Sequence, residues 1–255
     1  MNELLNVAVT AVRQAGDRLR QRYSTESRPA GFDDMMAALR ANDATVADVL
    51  RAALPGDGFE DEHASGPIAD GDRWLLDPVG GNVNAVHGMT DWNIGVSLVR
   101  DGKPVLAVLY APPADEMFTA IAGEGAYLNG VRLKVSAKTD LSAALVGTGQ
   151  ATPGRDAAKA SLVGASVAAM MQQALYVRVS VPVGHQLAQV AAGRMDAHWQ
   201  FENVRSHAGP VLLVREAGGI VTDLDGKPWD LSSRTGYVAA APGVHADVLA
   251  VVAGR

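Results

Sequence analysis

The chain has 255 residues, 48% of them hydrophobic and 20% charged, with 27 Gly, 12 Pro and no Cys, which excludes disorder, a disulfide scaffold and any thiolate metal or nucleophile site. A formal charge of −6 gives no basic footprint for a nucleic-acid backbone or an anionic membrane; neither is expected as a partner, and a small molecule is. Met1 to Val7 shows no basic stretch followed by an apolar run, and no window reaches the apolar length of a membrane span, so a cytoplasmic protein is expected.

Leu4, Leu5, Val7, Ala8, Ala11, Val12, Ala15 and Leu19 share one face at helical spacing and predict a first helix. A second runs from Ala44 to Leu54 and stops at Pro55-Gly56-Asp57-Gly58. Trp74-Leu75-Leu76-Asp77-Pro78 reads as a short buried strand ending on an acid. Pro78 and Gly80-Gly81 break it into a loop, which leads to a helix over Asn82 to His87 with Asn82 as its N-cap. Three strands at Asn93–Arg100, Pro104–Ala111 and Glu116–Ala122, joined by short turns, predict an antiparallel meander. The second half contributes strands at Ala143–Gly147, Ile220–Asp223 and Gly236–Ala241, and a segment Leu175–Val181 between two helices. Its helices are expected at Asp156–Gln173, Gly184–Ala192, Val211–Glu216 and about Val244 to Val252. No internal repeat or long linker divides the chain, which reads as one domain with halves at about 1–140 and 141–255.

Trp74-Leu75-Leu76-Asp77-Pro78 and Asn84-Ala85-Val86-His87-Gly88 resemble the Asp-Pro strand end and the N-F-x-H-G segment of the inositol monophosphatase family of magnesium-dependent, lithium-sensitive phosphatases. The resemblance continues through Gly123-Glu124-Gly125-Ala126-Tyr127-Leu128-Asn129-Gly130, Gly193-Arg194-Met195-Asp196 and Glu216-Ala217-Gly218-Gly219, covering most of the chain beyond residue 60. It implies an α/β fold, a layered αβαβα sandwich, and a homodimer.

The resemblance also assigns positions one by one. Glu62 falls on the family's metal-binding Glu, Asp77 on its metal-bridging Asp, and Val79 on the residue whose carbonyl is a ligand. Gly80 stands where the motif has its second Asp, Asn82 where a Thr or Ser hydroxyl orients water, and Ser206 where a further metal-binding Asp is expected. Asp43 is a remnant of an early T-x-x-D element; His185 lies in the substrate segment and Gln200 near the substrate-contacting Glu. Pro210 replaces a Gly and is expected to open its helix after Gly209.

Two hard divalent cations need oxygen anions to offset their dehydration, and each serves one half of in-line attack on a phosphate ester. With two of four carboxylates replaced, the sequence predicts that the second cation is lost and that either no cofactor is required or one Mg²⁺ is weakly held by Glu62, Asp77 and Val79. The preferred expectation is an enzyme redirected to a small organic metabolite, using Glu62, Asp77, Asp91 and His207 as acid/base candidates. Gly80, Gly81, Asn82, Trp92, His185, Gln200 and Ser206 are the candidate substrate contacts. Two alternatives stay open: a residual Mg²⁺-dependent phosphatase in which Asp91 or Glu202 restores the second site, and a non-catalytic binding or regulatory protein. For Trp92 the competing reading is core packing, and for each histidine a structural role.

Overall fold

Apolar stripes on two long helices, α1 (Asn2–Tyr23) and α2 (Phe32–Ala53), cover one face of a sheet. The computed structural model describes residues 1–23, 28–56, 58–60, 68–150 and 156–254. α2 begins a dozen residues before the expected Ala44, because Met35-Met36-Ala37-Ala38-Leu39 are strong helix formers behind an acidic first turn at Asp33 and Asp34.

The first sheet contains β1 (Phe59–Glu60), β2 (Asp72–Gly80), β3 (Asn93–Arg100), β4 (Lys103–Ala111), β5 (Glu116–Ile121), β6 (Gly125–Leu128) and β7 (Val131–Arg132), in chain order. All pairings are antiparallel except β1 with β2. Period-two alternation sorts its residues: Trp74, Leu76, Ile94, Val96 and Leu98 face α1 and α2, whereas Leu75, Leu109 and Phe118 face the interior. Glu216 pins the β5–β6 turn by accepting the Gly123 and Gly125 N–H groups, each at 2.8 Å.

The second sheet has the order β11-β12-β10-β8-β9, with β8 (Leu145–Thr148), β9 (Tyr176–Val179), β10 (Ala197–Gln200), β11 (Ile220–Thr222) and β12 (Tyr237–Ala240). Helices α5 (Val183–Ala191) and α6 (Ala208–Glu216) lie between the sheets; α4 (Ala157–Met170) and α7 (Pro242–Ala253) cover the outer face. The expected αβαβα layering is therefore present, with a short α3 (Asn82–Val86) after β2.

Three local expectations are corrected. β10, the central strand of the second sheet, was not expected, because His198 and Gln200 make it look polar although all four residues are buried. α6 starts at Ala208 behind a 3-10 turn at Arg205–His207, placing Pro210 third instead of first. Its missing N–H falls among those that have no intrahelical partner in any helix. The α3 cap is Gly81, in the left-handed region at φ 73°, and Asn82 is the first helical residue.

Candidate active site

The site forms where β2 ends. Asp77 pairs with Gly95 and Gly80 with Asn93, so Pro78 and Val79 on β2 lie opposite Ile94 alone on β3. This bulge brings Asp77 and Gly80 to the same interior face, although they are three residues apart. A side chain at Gly95 would crowd Asp77, since a Cβ there would come to 3.2 Å of the Asp77 Cβ. Further along that face, Ser97 lies beneath α6, so close that a Cβ on Gly209 would collide with its hydroxyl.

Asp77, Ser97, Leu109, Ser206, Gly209 and Pro210 line a cavity of about 10 Å³, measured as the space open to the centre of a water-sized sphere, which is room for about one water. A carboxylate, two hydroxyls and an apolar wall therefore converge there. The Asn93 carboxamide is fully buried beside it, with Nδ2 at 3.5 Å from the Asp77 Oδ2, an electrostatic contact longer than a good hydrogen bond. Its Oδ1 is buried without a hydrogen-bond partner.

The loop after β2 is tied down on both sides. Asn82 donates to the Leu39 carbonyl and to Asp43, each at 2.9 Å, and accepts from the Asn42 amide at 2.7 Å, so its side chain joins α3 to α2. Asn84 donates to the carbonyls of Asp91 and Val181, both at 2.8 Å. Gly81 lies against the Asp91 carbonyl and Pro182, each 2.8 Å from where its Cβ would stand, so the turn requires glycine for space as well as for its positive φ.

Asp77 and Ser206 line the cavity together and Gly80 lies against Asp77, whereas Gly81 and Asn82, in the turn beyond, do not line it. Glu62, with its neighbour His63, lies outside the described residues. Val79 packs its side chain into the α1/α2 core, as Trp92 does, which gives Trp92 the core role. Asp91 is ion-paired with Arg178 at 2.8 Å and Glu202 with Lys159, so neither contributes to the cavity wall.

The described histidines are placed apart from the cavity lining. His207 directly follows Ser206 but is turned away by the helical advance; its Nδ1 meets the Tyr237 hydroxyl at 2.9 Å and its ring stands edge-on to that of Tyr237. Burial lowers its pKa to about 4. His198, equally enclosed, is lowered by burial to about 3, and neither ring nitrogen has a partner. His185 packs edge-on to Phe118 and meets the Gln189 amide at 2.8 Å; desolvation lowers its pKa against the opposing effect of Asp91. Gln200 is buried with both ends engaged, donating to the Gly149 carbonyl at 2.9 Å and accepting from Phe201 N–H at 3.1 Å.

The residue missing from the sequence reading is Asn93. It was visible only as the polar start of a strand, and its role depends on standing opposite Gly80.

A five-layer sandwich with an aspartate at the end of its second strand and a glycine turn beyond it defines the fold class of the sugar- and inositol-phosphatase type. The chain belongs to the inositol monophosphatase family, whose model matches residues 1–253. It is similar to an inositol-1-monophosphatase of Rhizobium meliloti (strain 1021), 37% identical and covering 90% of each chain. It is also similar to the Nus factor SuhB of Haemophilus influenzae, 30% identical over 95% of this chain and 92% of that protein. The crystal structure of the extragenic suppressor protein suhB from Bartonella henselae superposes with a TM-score of 0.81 at 29% identity, covering 98% of this chain and 99% of that one.

A pair of magnesium ions does not fit the donors described. Among the described residues, no three carboxylate or imidazole side chains converge as a cation cage. Among the described residues of the cavity wall, Asp77 alone carries a carboxylate; Ser97 and Ser206 offer neutral hydroxyls, which supply geometry but not the charge that replaces a divalent ion's hydration.

Proposed function

We propose that the chain is a redirected member of its family: an enzyme acting on a small organic metabolite by proton transfer, with little or no phosphatase activity. The observation that carries this reading is the cavity wall itself, where, among the described residues, the Asp77 carboxylate faces hydroxyls, glycine and proline and no second acid. Asp77 accepts a proton from a substrate C–H, O–H or N–H and returns it to a neighbouring atom, the pattern of an isomerisation, cyclisation or elimination. A positioned carboxylate of this kind contributes a rate factor of about 10²–10⁴. Ser97 and Ser206 hydrogen-bond the substrate, and Glu62 is the proposed second acid. His207 has a poor claim to proton exchange, since it is engaged with Tyr237 and its pKa lies far below neutrality. No cofactor is required; Asp77 and the Val79 carbonyl support at most one weakly held Mg²⁺.

The alternative of a residual phosphomonoesterase draws on that remaining ligand set and on the Asp43–Asn82 contact, which keeps a polar pair beside the turn. Magnesium titration by calorimetry, with phosphate release assayed over sugar and inositol phosphates, separates the two. Mg²⁺-dependent turnover suppressed by Li⁺ would overturn the proposal; the expected result is at most one weak binding event and no such turnover.

We further propose that the chain forms a homodimer. β9 is an edge strand whose Tyr176 and Val179 are 70% and 56% exposed, with Met171 and Leu175 beside them at 67% and 58%. A second copy would cover that apolar edge.

A further inference from the structure

Loss of an acidic ligand by substitution with glycine ordinarily leaves a hole that the reverse substitution refills. Here it leaves none. An ideal Cβ on Gly80 would stand 2.6 Å from Nδ2 and 2.8 Å from Oδ1 of Asn93, and 2.8 Å from Oδ2 of Asp77. At such separations a neighbouring group must shift. Asn93 is fully buried, so its carboxamide has no route to solvent. Cross-strand pairing fixes it directly opposite Gly80, and the bulge at Pro78 and Val79 turns both toward Asp77.

We propose that Asn93 is the residue that bars the second cation: it fills the volume a carboxylate at position 80 would occupy and presents a neutral amide to Asp77 in place of a metal ion. The inference rests on the reading of a dismantled two-cation centre and adds what holds it dismantled. Gly80 and Asn93 form one linked pair, so specificity for a substrate that does not depend on a metal pair is determined at position 93 as much as at the missing acids. Two features agree with this. The Asn93 Nδ2 stands 3.5 Å from the Asp77 Oδ2, so a neutral donor faces the carboxylate where a divalent ion would. The Asn93 Oδ1 remains buried and unpaired, the sign of a group retained for the space and the donor it supplies and not for its own satisfaction.

A double-mutant cycle tests the steric half without any metal. Gly80→Ala is expected to lower Tm by several degrees in the parent chain and by clearly less in an Asn93→Ala background, where only the Asp77 contact remains. The electrostatic half uses G80D/S206D with and without N93A, titrated with Mg²⁺ and Mn²⁺ by calorimetry. The expected result is metal binding at least tenfold tighter in the triple variant than in the double. An absence of coupling between Gly80→Ala and Asn93→Ala would overturn the proposal, and so would a triple variant that binds no more tightly than the double. If G80D/S206D does not fold, the alanine cycle decides. Two Mg²⁺ ions binding to the parent chain would overturn the dismantled-centre reading instead, and the alanine cycle would separate that failure from a failure of the packing argument.

Discussion

Lowering the pH from 7.5 to 5.0 is expected to remove about 4 kcal/mol of folding stability, an amount set by two enclosed imidazoles. Burial holds His198 at about 3 and His207 at about 4, both below the ordinary 6.5. The rings face one another's surroundings across Tyr237, and Glu202 is the acid that opposes the shift of His207. Because the folded-state values are depressed bases, the unfolded chain binds more protons below 6.5. The stabilising difference is therefore complete above that pH and is lost as pH falls toward the folded values. At pH 5.0 the unfolded histidines are about 1.5 units below their midpoint, which at 1.36 kcal/mol per unit is about 2 kcal/mol for each. His185 and His245 shift in the same direction and add to the loss. The depressed acids Asp72, Asp115, Asp140 and Asp230 start from 3.8 and act below the window. Urea unfolding followed by tryptophan fluorescence at the two pH values measures the difference. His198→Leu, which removes a ring with no hydrogen-bond partner, should take about 2 kcal/mol from the pH dependence. Equal stability at pH 7.5 and 5.0, or a dependence untouched by that substitution, would refute the assignment of the loss to these rings.

Asn82→Ala removes three hydrogen bonds between α3 and α2 and should destabilise the chain by about 1–3 kcal/mol, read as a lower urea midpoint with unchanged slope. Asp77→Asn keeps the shape of the cavity wall but not its base; once a turned-over metabolite is found, kcat should fall by about 10²-fold or more, while KM changes little. Tyr176→Glu on the β9 edge should convert a dimer to a monomer in sedimentation velocity, with the thermal transition of the separated chain still cooperative.

What could be read in the sequence divides along physical lines. The meander from Asn93 to Ile121 announced itself through period-two alternation and short turns, because neighbouring strands and local links are written locally. The acid ending β2 was legible from the Pro and Gly residues that follow it. β10 was hidden because a central strand buried on both faces here carries His198 and Gln200, whose polarity mimics a loop. His207 looked like a replacement catalyst because it is adjacent to Ser206 in the chain. In a helical turn, however, adjacent side chains diverge, and the neighbour of a cavity residue points into the core. Asn93 was illegible for a third reason: its partner is set by a bulge that shifts the register by one, and no local pattern records which residue lies across the sheet.

The Asn84 amide, held by carbonyls of residues 91 and 181, joins the meander half to the α5 half at one atom beside the cleft. Separation of the two halves at the end of β2 would break both of those bonds at once. A ligand arriving there finds its contacts already arranged, so little ordering entropy opposes its capture. Discrimination among ligands then falls to fit against that contour, which favours a narrow range of molecular shapes over a broad one.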